Sequence, residues 1–261
     1  MKSQTIVFIH GAHVTSRCWD RFIPFFEAKG YTCLAPNWPY DDRPVPELRA
    51  NPAPELGTLG VAEIVAHYAA IIQKMSTPPI LIGHSFGGLF TQLLLDRGLG
   101  AAGVALDPAP PKGVLPTPAA FQSNFGPFVA PLSGEKIIHM SEIDFGRYFA
   151  NGIPDAERAK AYQTYVVPTP VRIFTQSATA PFHNTTAINY KRPTRAPLLI
   201  TAGGNDHQVP AGMNRANYKL YKSSPQARVD FKEFAGRSHT LIMEPGWEEV
   251  ASYIADWLDK G

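Results

Sequence analysis

The segment Pro79-Ile-Leu-Ile-Gly-His-Ser-Phe-Gly-Gly-Leu89 carries the strongest evidence for a fold in this sequence. It contains the pattern Gly-x-Ser-x-Gly between an apolar run typical of a buried strand and an apolar run typical of a helix. A sharp turn between a strand and a helix holds a serine in a strained conformation with its hydroxyl exposed. Gly83 and Gly87 suit such a turn, because a Cβ at either position would crowd it. We therefore predict that Ser85 is a nucleophile.

A serine hydroxyl is a weak nucleophile until a base takes its proton, so the sequence should also supply a histidine and an acid. After a turn of this kind the acid comes first in the chain and the histidine second. Asp206 follows the apolar run that begins at Leu198, and His239 follows the run that begins at Val229. We predict a catalytic triad of Ser85, Asp206 and His239, in which Asp206 orients the histidine.

Other residues compete for two of these roles. Asp107 ends the apolar run Gly103-Val-Ala-Leu-Asp107 and stays open as the alternative acid, or as a residue that shapes the pocket. Only His239 follows the last predicted strand, and His207 is interpreted as a loop residue. The remaining histidines are His10, His13, His67, His84, His139 and His183.

An oxyanion formed during attack on a carbonyl needs two hydrogen-bond donors. The backbone N–H of Phe86, directly after the serine, is one candidate. The backbone N–H of Ala12, in the loop after the first strand, is the other. We expect Gly11 and His84 to contact the substrate beside these donors. The alternative for the loop is a simple tight turn after a strand.

Short apolar runs alternate with helical patterns along the chain, which favours βαβ units and a mostly parallel sheet. The predicted strands are Thr5–His10, Tyr31–Ala35, Pro79–Gly83, Ala101–Asp107, Pro197–Ala202 and Arg228–Phe234. The predicted helices are Arg17–Lys29, Leu59–Lys74, Gly87–Arg97, Ala211–Tyr221 and Trp247–Asp259. The sequence thus predicts an α/β fold with a six-stranded sheet and helices on both faces.

The alternation stops between residues 110 and 193, where prolines, aromatic residues and short helical pieces replace it. We predict a core of residues 1–109 and 194–261, with residues 110–193 inserted as a lid over the carboxyl edge of the sheet. Phe125 and Tyr162 represent its aromatic side chains and are expected to bind an apolar part of the substrate. The alternative is a packed helical insertion without a gating role.

Composition narrows the class of protein. The 261 residues carry 24 basic and 22 acidic side chains, a net charge of +2, without a basic run of the kind that binds nucleic acid. No apolar stretch approaches the roughly 18 residues of a membrane span. Cys18 and Cys33 fit neither a metal pattern nor a disulfide framework. We expect a cytoplasmic enzyme without metal or organic cofactor, whose partner is a small-molecule ester; a homodimer is the candidate assembly.

These motifs resemble the α/β-hydrolase superfamily. The segments His10-Gly-Ala-His-Val-Thr-Ser-Arg-Cys-Trp19 and His239-Thr-Leu-Ile-Met-Glu-Pro245 are similar to the branch that holds plant methylesterases and hydroxynitrile lyases. Those lyases carry threonine where Gly11 stands and lysine where Thr240 stands, so the resemblance implies ester hydrolysis. Epoxide hydrolases and haloalkane dehalogenases share the fold but use aspartate at the position of Ser85.

The expected function is that of a carboxylesterase-type serine hydrolase, which cleaves small to medium apolar acyl or aryl esters through an acyl-enzyme. Lactone, amide or C–C bond hydrolysis and perhydrolysis on the same triad are alternatives. A protein that keeps the fold and binds a ligand without catalysis is the alternative from another class.

Overall fold

A parallel sheet of six strands forms the centre of the computed structural model, which describes residues 4–115, 117, 136–222 and 227–260. The strands are β1 Thr5–Ile9, β2 Thr32–Leu34, β3 Ile80–His84, β4 Ala102–Leu106, β7 Leu198–Gly203 and β8 Val229–Phe234. They lie in the order β2-β1-β3-β4-β7-β8. The predicted fold is confirmed, and each predicted strand end lies within one residue of the observed end.

Eight helices of six residues or more lie within the described residues. They are α1 Phe22–Glu27, α2 Val45–Ala50, α3 Val61–Ile72, α4 Phe86–Asp96, α5 Asp155–Tyr165, α6 Val171–Ala178, α7 Ala211–Lys222 and α8 Trp247–Asp259. The predicted helix 17–29 divides into a 3-10 turn, Ser16–Trp19, and the shorter α1. Helices α2 and α6 had no counterpart in the sequence prediction; each begins directly after a proline.

Side chains of β1 alternate between the two faces of the sheet and so define two cores. Val7 and Ile9 pack with residues of α3 and α4 in one core. Ile6 and Phe8 pack with residues of α1 and α8 in the other. Because both faces are covered there, the four central strands β1, β3, β4 and β7 contain few polar residues.

The strand order places two loops side by side at the carboxyl edge of the sheet. The chain passes from β1 outward to β2 and then returns to β3 on the other side of β1. The loops after β1 and β3 therefore diverge from adjacent strands, which is where open α/β sheets bind ligands. Gly11 and Ser85 lie in these two loops.

The described part of the insertion packs against the same edge. A two-stranded antiparallel sheet joins β5 Ile137–Ile138 to β6 Thr169–Pro170. A short helix, Glu142–Asp144, continues as a π-helix, Phe145–Phe149. Val14, in the loop after β1, forms an isolated bridge with Val166. Within the described residues, no helix is both long and apolar enough to cross a membrane.

Candidate active site

Ser85 stands on a strained turn between β3 and α4. Its backbone has φ 57° and ψ −122°, a region that costs a non-glycine residue about 1–3 kcal/mol. The Ser85 N–H donates to the carbonyl of Leu106 at 2.9 Å, and its own carbonyl accepts from Ala109 at 3.0 Å. Hydrogen bonds to a neighbouring strand and its loop thus fix the serine backbone in this conformation.

The two glycines of the turn are required by contact distances. A Cβ on Gly83 would lie 2.0 Å from the carbonyl oxygen of Gly87, and a Cβ on Gly87 would lie 2.0 Å from that of Ile9. Both distances are far below van der Waals contact. The Gly-x-Ser-x-Gly spacing is therefore what lets α4 approach β1 and β3 this closely.

His239 and Asp206 form a buried hydrogen-bonded pair at the same edge. His239 Nδ1 lies 2.7 Å from Asp206 Oδ2, and neither side chain is accessible to solvent. Asp206 Oδ1 accepts from the N–H groups of Gln208 and Val209 at 2.7 and 2.8 Å. These bonds fix the carboxylate with its second oxygen toward the histidine.

The other ring nitrogen of His239, Nε2, is buried and has no hydrogen-bond partner in the described part of the chain. When Nδ1 donates to a carboxylate, Nε2 keeps a lone pair and can accept a proton. The ring packs against Phe149, with centroids 5.0 Å apart, and against His84 at 4.7 Å. The structure thus presents an oriented imidazole with its basic nitrogen free, although the hydrogen bond to Ser85 is not formed.

Glu244 supports the histidine loop and was missed in the sequence. Its carboxylate accepts from the N–H and hydroxyl of Ser238 and from the hydroxyl of Thr240, the two residues that flank His239. It is buried, with 2% of its surface exposed. The available signal was the acidic residue five positions after His239, the predicted general base, in the segment His239-Thr-Leu-Ile-Met-Glu244.

Asp107, the alternative acid, has another partner. Its Oδ1 accepts from the Gly203 N–H at 2.7 Å. Burial, together with the negative charge of Asp206, raises the pKa of Asp107 well above its usual range. A raised pKa is expected for one of two acids that share a buried site. The geometry therefore assigns the histidine to Asp206.

The predicted oxyanion donors come from loops that touch each other. A Cβ on Gly11 would lie 2.7 Å from the Cβ of Ser85 and 3.3 Å from the backbone nitrogen of Phe86. The N–H of Phe86 begins α4, where no earlier turn of the helix accepts from it. Ala12 follows Gly11 and lines the same cavity as Ser85. The Gly11 contact also explains why threonine, found in the lyases, does not fit here.

A mostly apolar cavity opens above Ser85. Its apolar lining comes from both the sheet edge and the insertion: Ala12, Phe86, Ala109, Pro110, Val114, Phe149, Phe174, Ala178, Val209 and Met213. Its polar lining is His13, Ser85, Ser177 and Gln208. Because residues between 110 and 193 form part of the wall, the insertion contributes to this pocket; its role as a moving lid stays a prediction.

Three predicted substrate contacts have a different placement or none. His84 is buried, with Nε2 2.7 Å from the carbonyl of His239, so it supports the histidine loop. Tyr162 is not among the described lining residues; its hydroxyl donates to the Met140 carbonyl and its ring packs on Phe145. Neither residue is among the described residues that line the cavity, and their substrate contacts stay predictions. Phe125 lies outside the described residues.

Three buried side chains, His84, Asp107 and His239, offer possible metal-ligand atoms within 4.8 Å of one another. On these three side chains, the buried atoms without a hydrogen-bond partner in the described residues are His84 Nδ1, Asp107 Oδ2 and His239 Nε2. A cation bound through His239 Nε2 would compete with Ser85 for that nitrogen. The expectation that catalysis needs no metal stays a prediction.

The chain belongs to the alpha/beta hydrolase family, whose pattern it matches over residues 6–253. A pyrethroid hydrolase from Sphingobium wenxiniae is 33% identical over 87 residues, which span 32% of this chain and 27% of that protein.

Solved structures show the same fold over nearly the whole chain. A methylesterase from Arabidopsis has a TM-score of 0.67 at 13% identity, covering 98% of this chain and 99% of that one. A monoacylglycerol lipase from Paleococcus ferrophilus has a TM-score of 0.67 at 19% identity, covering 98% and 95%. A pyrethroid hydrolase has a TM-score of 0.66 at 20% identity, covering 99% and 98%. The predicted resemblance to this superfamily is confirmed.

Proposed function

We propose that this protein hydrolyses carboxylic esters through an acyl-enzyme on Ser85. The observation that supports this most strongly is the oriented His239–Asp206 pair, whose free Nε2 lies at the same sheet edge as a serine on a strained turn. The names of the similar proteins, which include an esterase and a lipase, support hydrolysis as the reaction class.

The reaction proceeds in two halves. Ser85 Oγ attacks the ester carbonyl while His239 Nε2 takes its proton, and the N–H groups of Ala12 and Phe86 stabilise the oxyanion. The C–O bond to the alcohol breaks, and the alcohol leaves with the proton from His239. Water then attacks the acyl-enzyme, gives a proton to His239, and the carboxylic acid leaves as Ser85 recovers its hydrogen.

The apolar lining supports an apolar acyl or aryl group of small to medium size in the cavity. Phe149 and Phe174 provide the largest apolar surfaces of its wall. An apolar group placed there would displace water from the oxyanion donors, which strengthens their hydrogen bonds.

Labelling with a fluorophosphonate probe and turnover of p-nitrophenyl acetate test the proposal together. The wild-type protein should be labelled and should release p-nitrophenol. Ser85→Ala should lose the label and roughly 10³-fold or more in kcat, because only backbone stabilisation of the transition state remains. Ser252→Ala, at an exposed position of α8, is the matched control and should behave as wild type.

An unlabelled wild-type protein without turnover would favour a ligand-binding role instead. Retained turnover in Ser85→Ala would refute the assignment of the nucleophile. A panel of matched esters, lactones and amides, measured with the wild-type protein, then ranks the bonds that the site cleaves.

A further inference from the structure

His13 is a buried polar side chain that the apolar cavity leaves without a partner. It lines the cavity with 3% of its surface exposed, and neither ring nitrogen has a hydrogen-bond partner among the described residues. The hydroxyl of Ser177, on the cavity wall, is likewise buried and unpartnered there. A buried polar group without a hydrogen-bond partner is unfavourable, so two of them in one cavity indicate a ligand that satisfies them.

The position of the His13 ring is set by its backbone. His13 has φ 65°, a left-handed conformation that non-glycine residues rarely adopt. Its N–H donates to the Thr169 hydroxyl at 2.7 Å, and its carbonyl accepts from Val167 at 2.9 Å. The ring packs beside Phe174, with centroids 5.5 Å apart. Two bonds to the insertion thus fix the residue where its ring meets the cavity.

The imidazole of His13 is uncharged. Burial, assisted by the nearby His239 and His139, lowers the pKa of His13 to about 3. A neutral imidazole has one N–H donor and one nitrogen acceptor. It therefore complements a hydroxyl, ether or carbonyl oxygen, whereas it provides no counter-charge for a carboxylate or an ammonium group. No carboxylate is bonded to its ring in the described residues, so it is not oriented as a second base.

We propose that His13 is a specificity-determining residue, which hydrogen-bonds an uncharged oxygen carried by the apolar part of the substrate. This inference rests on the proposed ester hydrolysis and deepens it. The substrates are then apolar esters with one neutral oxygen substituent, rather than plain alkyl esters or esters that carry charge. The Ser177 hydroxyl is the second group available to that oxygen.

Isosteric ester pairs test the inference, because they differ only in one oxygen. For the acyl side, p-nitrophenyl 4-methoxybutanoate is compared with p-nitrophenyl hexanoate; for the alcohol side, 2-methoxyethyl acetate is compared with butyl acetate. The 4-oxohexanoate ester adds a carbonyl acceptor. Each rate is divided by that of alkaline hydrolysis to remove intrinsic reactivity. The wild-type protein should prefer the oxygen-bearing member of at least one pair about tenfold in kcat/KM.

Two variants link the preference to His13. His13→Leu removes both polar atoms and should abolish the preference. His13→Asn accepts the left-handed backbone more readily, keeps a donor and an acceptor, and should retain part of it. A ratio between two esters within one variant cancels a loss of folded protein, so a purely structural role for His13 would lower both rates and leave the ratio unchanged.

Each outcome has one meaning. A wild-type ratio within twofold for every pair, or an unchanged ratio in His13→Leu, would overturn the assignment of His13 while ester hydrolysis stands. If His13→Leu does not fold, the wild-type ratios and those of His13→Asn decide the question. Failure of the wild-type protein to cleave any ester, together with an unlabelled Ser85, is the distinct result that removes the proposed function itself.

Discussion

Two regions of the site hold their side chains in different ways. The edge is the carboxyl end of the sheet, with Ser85, Gly11 and Asp206, and the wall is the apolar lining of the cavity, with Phe149 and Phe174. At the edge, backbone hydrogen bonds and close glycine contacts fix Ser85, while two N–H groups fix Asp206. In the wall, Phe174 and Phe149 are held by ring packing against their neighbours. Rigid polar geometry suits groups that must act on every substrate, whereas packed apolar surface sets which substrate fits. Changes at the edge should therefore alter the rate for all esters, and changes in the wall should alter the ratio between esters.

The two buried acids give the largest expected difference at the edge. Asp206→Asn should lower kcat by about 10²–10⁴-fold, because it removes the charge that stabilises the protonated histidine. Asp107→Asn should cost far less, since an amide replaces a neutral acid and its oxygen can still accept from Gly203. Steady-state kinetics on p-nitrophenyl acetate, with thermal midpoints to verify folding, measure both. An inactive Asp107 variant beside an active Asp206 variant would show that the acid is misassigned.

Gly11 tests how tightly the edge is packed. Gly11→Ala would place a Cβ 2.7 Å from that of Ser85 and 2.8 Å from the carbonyl oxygen of His84. A displacement of this size should lower kcat roughly 10- to 100-fold on every ester. Gly212→Ala is the control, because nothing lies within 4 Å of its added Cβ and alanine favours the helix. Equal kcat values for the two variants would mean that the loops of Gly11 and Ser85 can shift to accommodate the added Cβ.

The sequence predicts the edge well because its signals are local. Covered parallel strands appear as apolar runs, and the turn at Ser85 appears as a five-residue pattern. It favoured Asp206 as the acid but left Asp107 open, since each follows one of two neighbouring strands, β4 and β7. Only the bonds from His239 and Gly203 separate their roles.

The wall was harder to predict because it depends on contacts between distant segments. His13 reaches its position through Thr169, which is 156 residues away in the sequence. No periodicity near His13 encodes that bond. Tyr162 shows the converse case: an aromatic residue in the insertion was expected in the cavity, yet its ring packs on Phe145. Aromatic composition indicated an apolar wall without indicating which rings form it.

Phe174 tests the wall. Phe174→Ala removes a ring that lies 5.1 Å from the ring of Phe86, and the space gained should favour longer acyl groups. The ratio of kcat/KM for p-nitrophenyl octanoate to that for the acetate should rise about tenfold, with little change for the acetate alone. Phe182→Ala is the matched control in the same insertion, because 89% of Phe182 is exposed. An equal loss of kcat/KM on both esters would mean that Phe174 affects the reaction of every ester rather than the choice between them.

The smallest effect is expected at Asp41, which follows β2 at the same edge but outside the cavity lining. Burial, with a smaller contribution from Asp42 and an opposing one from Arg43, raises the pKa of Asp41 to about 8. Its Oδ1 has no partner in the described part of the chain. The unfolded chain releases this proton near pH 4 and the folded protein near pH 8, so stability falls as pH rises through that window.

The window from pH 6.5 to 8 isolates Asp41 from the buried histidines. His10 and His13, with pKa values lowered to about 4 and about 3 by burial, change stability only below roughly pH 6.5, where the unfolded chain gains protons. Wild-type protein should lose a few degrees in thermal midpoint between pH 6.5 and 8. Asp41→Asn should lose less and keep its kcat, because no proton is released at that position. Parallel plots of thermal midpoint against pH for the two proteins would mean that Asp41 is already charged at pH 6.5. A changed kcat in Asp41→Asn would mean that the loop after β2 contributes to catalysis.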